Sequence, residues 1–364
     1  MEFALTDEQR MLDESLRGYL ARELPLDKLK TLVKESRGVS EKQSQGLAEL
    51  GLPGLMIPAE RGGSGLGLLD AAVAAEALGY HATPVAFVGP SVMAPIAVQA
   101  MANATQQTEW LPKMASGEMR IAVAFAGGTG QTGATDVSLD GARLRGQVDG
   151  VLDAVGATHV LVLLPDGTAA LAPLDATGVT VNLKPTLDRT RPLADVSFAG
   201  ANVTVLDASN DPAAVVRSIR DAGRVMLAAD TLGASQAMLD KAVAYAKERV
   251  QFGRVIASFQ AVKHMAAEMA TELEPCRALV WFAAHAHDAI PEEAHVSACH
   301  AKAHLAEVGR HVQTKATEMH GGMGFTELMG LEIWFKRISL DRHTLGGPER
   351  CRHEAAVAQG WVTA

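Results

Sequence analysis

The sequence predicts an α+β protein that is mostly helical. It divides into a helical N-terminal domain over residues 1–117, a small central β barrel over 118–210 and a C-terminal four-helix bundle over 211–364. Hydrophobic residues make up 48% of the chain, but aromatic residues make up only 4%. The apolar residues are therefore mostly smaller side chains such as alanine, which favour closely packed helices. Helical periodicity disappears in the middle of the chain and returns after it. The length of 364 residues suits two or three domains.

The N-terminal domain opens with a capping-box sequence, in which Thr6 is followed three residues later by Gln9. Apolar residues then recur at helical spacing over residues 12–20. Six glycines and two prolines between residues 51 and 67 interrupt the helical pattern, and a further helix is predicted over 68–78. The pattern therefore indicates several short helices rather than one long one.

The sequence pattern of the central region is typical of a β domain. Short apolar runs at residues 121–125, 160–164 and 203–206 are separated by Gly, Asp, Pro and Thr. Several short strands at this spacing predict a small sheet or barrel. A turn at residues 209–212 marks the end of this region.

Long helical stretches follow the turn. The first is clearest over residues 224–249, which contain no proline and a single glycine. The others cover 260–288, with Pro275 as a candidate kink, and 291–320. Long helices after a β segment predict a helical bundle.

Charge and cysteine content exclude several functional classes. Lys and Arg total 33 against 42 for Asp and Glu, a net charge of −9 without a basic stripe, so we do not expect nucleic-acid binding. Cys276, Cys299 and Cys351 are widely spaced, which argues against a disulfide framework. The acidic N-terminus does not resemble a signal peptide, and no apolar run approaches the ~18 residues of a membrane span. We therefore expect a cytoplasmic protein.

The first candidate site is Arg249-Val250-Gln251-Phe252-Gly253, followed by Gln260. An arginine at the end of a long helix can meet a diphosphate with two parallel charge-assisted hydrogen bonds. Phe252 could cover the ligand, and Gly253 permits a close backbone approach. The alternative is a surface arginine followed by a helix-ending glycine.

The second candidate site is the segment Gly321-Gly322-Met323-Gly324-Phe325. A glycine-rich turn between helices can expose backbone N–H groups to a phosphate, or to a ribose and adenine. It lacks the full P-loop form and the Rossmann spacing. A simple turn between two helices is the alternative.

Together the two segments resemble the acyl-CoA dehydrogenase family, whose R-x-x-F-G-x6-Q and GGxGF motifs they match in order and separation, about seventy residues apart. The resemblance covers essentially the whole chain. In that family these motifs bind FAD from the neighbouring subunit, the arginine at the pyrophosphate and the glycine loop on the adenine side. It implies these FAD-binding residues: Arg249, Gln251, Phe252, Gln260, Gly321 and Gly322, with Glu318 where the family often has Gln.

The same resemblance implies a missing catalytic base. In the family a Glu removes the α-proton of an acyl-CoA, a step that a positioned base accelerates by roughly 10²–10⁴-fold. The two usual Glu positions correspond to Leu345 and Gly223. Two motifs that meet the chain's own flavin ring are also replaced, by residues 125–128 and 150–152.

These losses fall on one side of the site, which implies the non-catalytic subunit of a heteromeric acyl-CoA dehydrogenase. Leu345-Gly346-Gly347-Pro348 resembles such subunits in the α2β2 enzymes of actinobacterial steroid side-chain degradation. The implied cofactor is FAD. The implied partners are a catalytic acyl-CoA dehydrogenase subunit, an acyl-CoA substrate and an electron-transfer flavoprotein.

Two alternatives stay open. One is a self-sufficient homotetrameric dehydrogenase with an unusual base, for which nearby carboxylates are candidates: Asp221, Asp230, Asp341 and Glu349. Otherwise these carboxylates are surface or interhelical charges. The other alternative is a structural member of the fold without flavin.

A histidine group on the predicted helix over 291–320 invites comparison with a metal site. The group consists of His295, His300, His304 and His311; His300 and His304 share one face, and His311 lies nearly two turns further on. Metal ligation would need a further ligand and a second shell. We therefore expect solvated or helix-packing histidines and no metal.

Overall fold

The structure is a computed structural model that describes residues 4–35, 38–127, 136–206 and 209–363. Gly128, which belongs to one of the replaced motifs, lies outside these ranges. The helices are α1 (Asp7–Glu23), α2 (Leu26–Glu35), α3 (Glu41–Glu49), α4 (Leu68–Tyr80), α5 (Ala94–Met101), α6 (Ala104–Ala115), α7 (Pro212–Glu248), α8 (Gln260–Ala289), α9 (Pro291–His320), α10 (Leu331–His343) and α11 (Pro348–Ala358). A π-helical turn, Val88–Met93, precedes α5.

The capping box predicted at the N-terminus is confirmed. The Thr6 side chain accepts a hydrogen bond from the Gln9 backbone N–H, and the Gln9 side chain accepts one from Thr6. The start of α1 is therefore fixed locally, by side chains that satisfy otherwise unpaired backbone donors. Ser40 and Gln43 repeat the same arrangement at the start of α3.

The central strands form two four-stranded sheets. The strands are β1 (Ile121–Phe125), β2 (Val137–Asp140), β3 (Arg143–Leu152), β4 (His159–Leu163), β5 (Ala169–Pro173), β6 (Val179–Lys184), β7 (Leu193–Asn202) and β8 (Thr204–Leu206). One sheet has the order β1-β4-β5-β8, with β1 and β4 parallel, and the other is antiparallel with the order β2-β3-β7-β6. Their facing apolar side chains share one core, so the expected barrel takes the form of two packed sheets.

The C-terminal helices pack around α7, which is 37 residues long. It begins at Pro212 itself, inside the predicted turn, because proline suits the first helical turn and Asp211 caps the Ala214 N–H at 3.1 Å. Helices α8 and α9 pack on α7, and α11 packs on α9. In the part of the chain that the structure describes, no helix is both long and apolar enough to cross a bilayer.

Small residues allow α4 and α7 to approach closely. A Cβ on Gly233 would lie 1.9 Å from Glu76 O, and one on Gly79 would lie 2.1 Å from Asp230 O. Neither helix could keep its position with a larger residue at these crossings. This accounts for a mostly helical core built with so few aromatic side chains.

Candidate functional site

The arginine motif forms a tight hairpin at the end of α7. Arg249 ends the helix, and strands β9 (Val250–Gln251) and β10 (Arg254–Val255) pair across a two-residue turn. Phe252 and Gly253 occupy that turn with φ of 53° and 77°. Positive φ at both central residues is the geometry of a type I′ turn. It is unfavourable for phenylalanine and easy for glycine.

The hairpin presents its side chains to solvent. Phe252 is 90% exposed, and its ring meets the edge of Phe259 with centroids 6.1 Å apart. The Arg254 guanidinium covers the Phe259 ring at 4.1 Å. In the described part of the chain, the Arg249 guanidinium makes no hydrogen bond or ion pair. An unpaired guanidinium beside a strained, exposed aromatic ring is available to an anionic ligand.

The glycine segment begins where α9 ends. Gly321 has a φ of 57°, and the chain continues as a single helical turn, Gly321–Phe325. A Cβ built on Gly321 or Gly322 would meet no atom within 4 Å. The structure therefore leaves open space against this backbone, and Phe325 beside it is 81% exposed.

The two segments lie at the same end of the bundle. Tyr245, one turn before Arg249, stacks on His320, which directly precedes Gly321, with ring centroids 4.5 Å apart. The remaining predicted residues of this group are exposed: Gln251, Gln260 and Glu318. Gln260 bonds to the His264 ring at 3.5 Å, and Lys315 pairs with Glu318 at 2.9 Å.

The two base positions also lie together, in the interior. A Cβ built on Gly223 would lie 2.5 Å from Leu345 Cδ1 and 2.7 Å from Met93 Sδ. Leu345 is 5% exposed and has a φ of 58°. Arg224 Nε donates to Leu345 O at 2.9 Å, which holds this unusual backbone in place. The side-chain atoms nearest to a Cβ on Gly223 therefore belong to two apolar residues, Leu345 and Met93.

Two of the alternative carboxylates belong to a buried ion-pair network. Asp230 accepts two hydrogen bonds from Arg337, at 2.8 and 2.7 Å, and one from Arg191 at 2.7 Å. Burial alone would raise the pKa of Asp230, but these two guanidiniums hold it below its ordinary value. Asp341 pairs with Arg191, although burial raises its pKa. Asp230 joins α7 to α10, and Asp341 joins α10 to the loop between β6 and β7 that carries Arg191.

The other two candidate carboxylates, Glu349 and Asp221, lie in different environments. Glu349 is exposed and lies 3.6 Å from Arg342. Asp221 is buried, accepts from the His295 ring at 2.8 Å and lies 3.4 Å from Arg224. None of the four candidate carboxylates is shown in contact with Leu345 or Gly223.

The segment that replaces the second flavin-ring motif, residues 150–152, offers no aromatic stack and no hydroxyl. Gly150 has a φ of 63°, while Val151 and Leu152 are buried in the two cores beside it. Asp153, also at positive φ, accepts from the Gly89 N–H at 2.8 Å. Burial raises the pKa of this carboxyl. The segment is a packed corner of the β domain.

A cleft of about 520 Å³ separates the β domain from the bundle. Its walls include Phe125 and Pro165 on one side and Arg220, His295 and Glu354 on the other. The Arg220 guanidinium lies over the Phe125 ring at 5.3 Å. Five separate segments of the chain line this cleft, so no local sequence pattern indicated it.

The histidines that share a helix face do not converge with other ligands. In the described ranges, the one group of metal-ligand type that the structure assembles is Asp221, His295 and Cys299, with ligand atoms within 4.8 Å of one another. The fully buried Arg224 guanidinium contacts Asp221 and Cys299 at 3.4 and 3.3 Å. A fixed positive charge there opposes a metal cation. The sequence reasoning missed this cluster because its members lie on two helices.

Comparison with known proteins agrees with the three-part architecture. The family model for the acyl-CoA dehydrogenase N-terminal domain matches residues 6–118, and that for the C-terminal domain matches residues 213–358. The chain is 29% identical over 345 residues to acyl-CoA dehydrogenase IpdE2 of Mycolicibacterium smegmatis, covering 94% of this chain and 96% of that protein.

Solved structures give the same result. The Tcur3481–Tcur3483 steroid ACAD has a TM-score of 0.86 at 28% identity, covering 97% of this chain and 98% of that one. A glutaryl-coenzyme A dehydrogenase has a TM-score of 0.91 at 22% identity, covering 100% and 98%. The fold and the paired motifs together are those of a class of flavoprotein dehydrogenases. The chain belongs to the acyl-CoA dehydrogenase family, whose members are FAD-binding oxidoreductases that act on CH–CH groups.

The outward-facing motifs have the chemistry that FAD requires. Arg249 offers an unpaired guanidinium for a pyrophosphate, and the open backbone at Gly321 and Gly322 can receive a flat ring system. Inside the fold, Leu152 at a flavin-ring position and Leu345 at a base position are buried apolar side chains, so the first offers no hydrogen bond to a flavin and the second offers no carboxylate to a substrate. The residues present therefore fit one half of a dinucleotide site.

Proposed function

We propose that this chain is the non-catalytic subunit of a heteromeric FAD-dependent acyl-CoA dehydrogenase. In an α2β2 assembly it completes the FAD site of a catalytic partner and supplies no base of its own. The contact between Leu345 and Gly223 carries this proposal, since both usual base positions are apolar and pack against each other. A carboxylate side chain at position 223 would need space that Leu345 and Met93 now fill.

In this proposal the exposed end of the bundle reaches the partner's cofactor. Arg249 neutralises the pyrophosphate, and the chemistry that bound FAD supplies is acceptance of the substrate's β-hydride. Phe252 stays exposed at a strained φ because its ring contacts the dinucleotide. The other residues of this surface line the cofactor or admit its adenine end: Gln251, Gln260, Glu318, Gly321 and Gly322.

The proposed substrate is a CoA thioester of a steroid side chain. The similarity to a steroid ACAD, at 28% identity over 97% of this chain, supports this class. As in the family generally, an electron-transfer flavoprotein would reoxidise the reduced flavin. The proposed site of action is the cytoplasm.

A self-sufficient homotetramer is the alternative, and it needs another base. The guanidiniums around Asp230 and Asp341, and the exposure of Glu349, count against three of the candidates. Asp221 remains, but Arg224 and His295 already contact it. A flavin-free structural role is the second alternative. The unpaired Arg249 guanidinium counts against it.

The test is a pair of complementary substitutions in a reconstituted complex with a catalytic acyl-CoA dehydrogenase chain. Leu345→Glu in this chain is expected to give no gain in dehydrogenation of a steroid side-chain CoA ester. Replacing the partner's catalytic Glu by Gln is expected to reduce turnover by at least about 10²-fold. Full turnover by a complex whose partner lacks its Glu would contradict the proposal and return the base to this chain.

A further inference from the structure

A pocket of about 250 Å³ lies where the N-terminal helices meet the C-terminal bundle. Its walls come from α1, α2 and α4 on one side and from α7 and α10 on the other. The residues proposed to bind FAD do not line it, and neither do Gly223 and Leu345. The pocket is therefore a candidate site for a ligand that the proposed function does not include.

Lys241 on α7 supplies a positive charge to the wall of this pocket. The residue is half-buried, and its Nζ lies over the Trp334 ring, 4.5 Å from the ring centroid. Trp334 is fixed in turn, because its Nε1 donates to Tyr80 O at 2.9 Å. Within the described ranges, the Lys241 ammonium makes no hydrogen bond and no ion pair. A partly desolvated cation held against an aromatic ring is available to an anionic ligand.

The charged groups near Lys241 do not neutralise it. Asp240 precedes it in the chain, but adjacent residues of a helix point in different directions, and the Asp240 carboxylate accepts a hydrogen bond from Tyr80 Oη at 2.9 Å. Lys30 on α2 is a second cation, whose Nζ donates to Leu328 O at 2.6 Å. Burial, followed by the charge of Lys30, lowers the pKa of Lys241. A bound carboxylate would reverse this shift, because an opposite charge favours the ammonium form.

His81 adds a hydrogen-bonding group to the same wall. Its ring meets that of Tyr80 edge to face, with centroids 5.2 Å apart. Burial, followed by the charges of Arg17 and Lys241, lowers the pKa of His81 to about 4. The imidazole is therefore neutral at pH 7 and carries one N–H donor. Among the residues that the structure describes, this ring has no hydrogen-bond partner.

The remainder of the wall is mostly apolar. Leu24 and Leu29 are buried side chains, and Leu26 and Ala237 extend the same surface. A cavity of about 150 Å³ with walls of this kind binds benzene. A pocket of about 250 Å³ therefore has room for a benzene-sized body and for a charged group beside Lys241.

The pocket is open to solvent without any rearrangement of the chain. Ala21 and Pro25, at its edge between α1 and α2, are both exposed. A wider groove adjoins it and shares Ala21, Tyr80 and His81 with it. A small molecule can therefore reach Lys241 from outside.

We propose that this pocket binds a small carboxylic acid with an apolar body. The carboxylate pairs with the Lys241 ammonium and accepts a hydrogen bond from His81. The apolar body lies against Leu24, Leu29 and Trp334. Such a ligand is additional to the FAD and the CoA ester of the proposed function, because it occupies a pocket that neither of them needs.

The test is isothermal titration calorimetry of the purified full-length chain with two probes, phenylacetate and hexanoate. Saturable binding at one site per chain is expected for both acids. The uncharged alcohol 2-phenylethanol, which has a similar body, should bind at least about tenfold more weakly than phenylacetate, since it forms no charge-assisted hydrogen bond. Inorganic phosphate should not compete, because it has no apolar body for the leucine side chains to cover.

Two substitutions assign the binding to this pocket. Lys241→Met keeps an unbranched apolar stem and should weaken phenylacetate binding at least about tenfold. His81→Phe keeps a flat ring but loses the N–H donor, and should weaken it about two- to tenfold. Lys247→Met is the matched control, because Lys247 is an exposed lysine later on α7 that does not line the pocket. It should leave the affinity unchanged.

A measurement on the unsubstituted chain decides the matter even if Lys241→Met fails to fold. Acetylation of each lysine by an amine-reactive ester is followed by peptide mass spectrometry, with and without phenylacetate. The acid should slow acetylation of Lys241 severalfold and leave that of Lys247 unchanged. The proposal would be overturned by equal acetylation of Lys241 in both samples, by the absence of saturable binding of either acid, or by equal affinities for phenylacetate and 2-phenylethanol.

Discussion

Leu345 packs against Gly223 so closely that a Cβ added to the glycine would lie 2.5 Å from Leu345 Cδ1. Gly223 lies in the first third of α7, and Leu345 lies in the loop between α10 and α11. Each is a place where the family's resemblance implies a Glu. Neither position carries a carboxylate, and the Leu345 side chain fills the space beside Gly223.

This packing predicts strong coupling between the two residues. Gly223→Ala should destabilise the chain, since the gain in helix propensity of about 1 kcal/mol is outweighed by overpacking costs of about 1–3 kcal/mol. Leu345→Ala should relieve that overlap. A double-mutant cycle measured by urea unfolding should give a coupling of at least about 1 kcal/mol. Additive effects of the two substitutions would show that they do not share the space.

Arg249 is predicted to act only in the assembled complex. Arg249→Ala should lower the FAD content of the complex severalfold, because a pyrophosphate loses its guanidinium partner. The stability of the isolated chain should change little, since the described structure gives this guanidinium no partner to lose. Arg310→Ala, which removes an exposed arginine that pairs with Glu307, is the control. Unchanged flavin in the Arg249 variant would remove Arg249 from the site.

Phe252 offers a test that separates stability from function. Phe252→Asn introduces the residue that best suits a type I′ turn before Gly253, and it loses one edge contact with Phe259. The unfolding free energy of the isolated chain should therefore stay within about 0.5 kcal/mol or rise. FAD retention by the complex should fall. Equal retention by variant and parent would mean that the strained ring has no role at the cofactor.

Glu354 is predicted to stabilise the fold in a pH-dependent way. Burial would raise its pKa, but the hydrogen bond from Arg224 lowers it from 4.5 to about 2. A carboxyl with a depressed folded-state pKa stabilises the chain above its unfolded pKa, and that stability is lost as pH falls. Glu354→Gln should cost about 2 kcal/mol at pH 7, and the difference should shrink between about pH 4.5 and pH 2.

Glu349→Gln is the matched control on the same helix. Its carboxylate is 77% exposed and lies 3.6 Å from Arg342, so its removal should have little effect at any pH. Urea unfolding at neutral and acidic pH measures both variants. Equal pH profiles for the two variants would show that the Arg224–Glu354 pair contributes nothing to stability.

Local patterns in the sequence predicted much of the fold. The Thr6–Gln9 cap and the strand at Ile121–Phe125 depend on neighbours within a few residues, which a sequence displays directly. The start of α7 was harder, because Pro212 suits both a turn and a first helical turn. The division of eight strands into two sheets depends on long-range pairing, such as β5 with β8, that no local pattern encodes.

The candidate site also contains parts that the sequence could predict and parts that it could not. Arg249 and the Gly321 segment could be found because each is a contiguous motif. Their proximity depends on the stacking of Tyr245 on His320, which only the packed helices reveal. The cluster of Asp221, His295 and Cys299 joins α7 and α9, so the spacing of these residues along the sequence gave no sign of it.

The central claim is that this chain supplies half of an FAD site and its partner supplies the chemistry. The most direct test is flavin per chain, measured by absorbance after denaturation, for the protein purified alone and after co-expression with an adjacent dehydrogenase-like chain. The account predicts little flavin in the protein alone and one FAD per pair of unlike chains in the complex. One FAD per chain in the protein alone would contradict it and direct the search for a base back to Asp221.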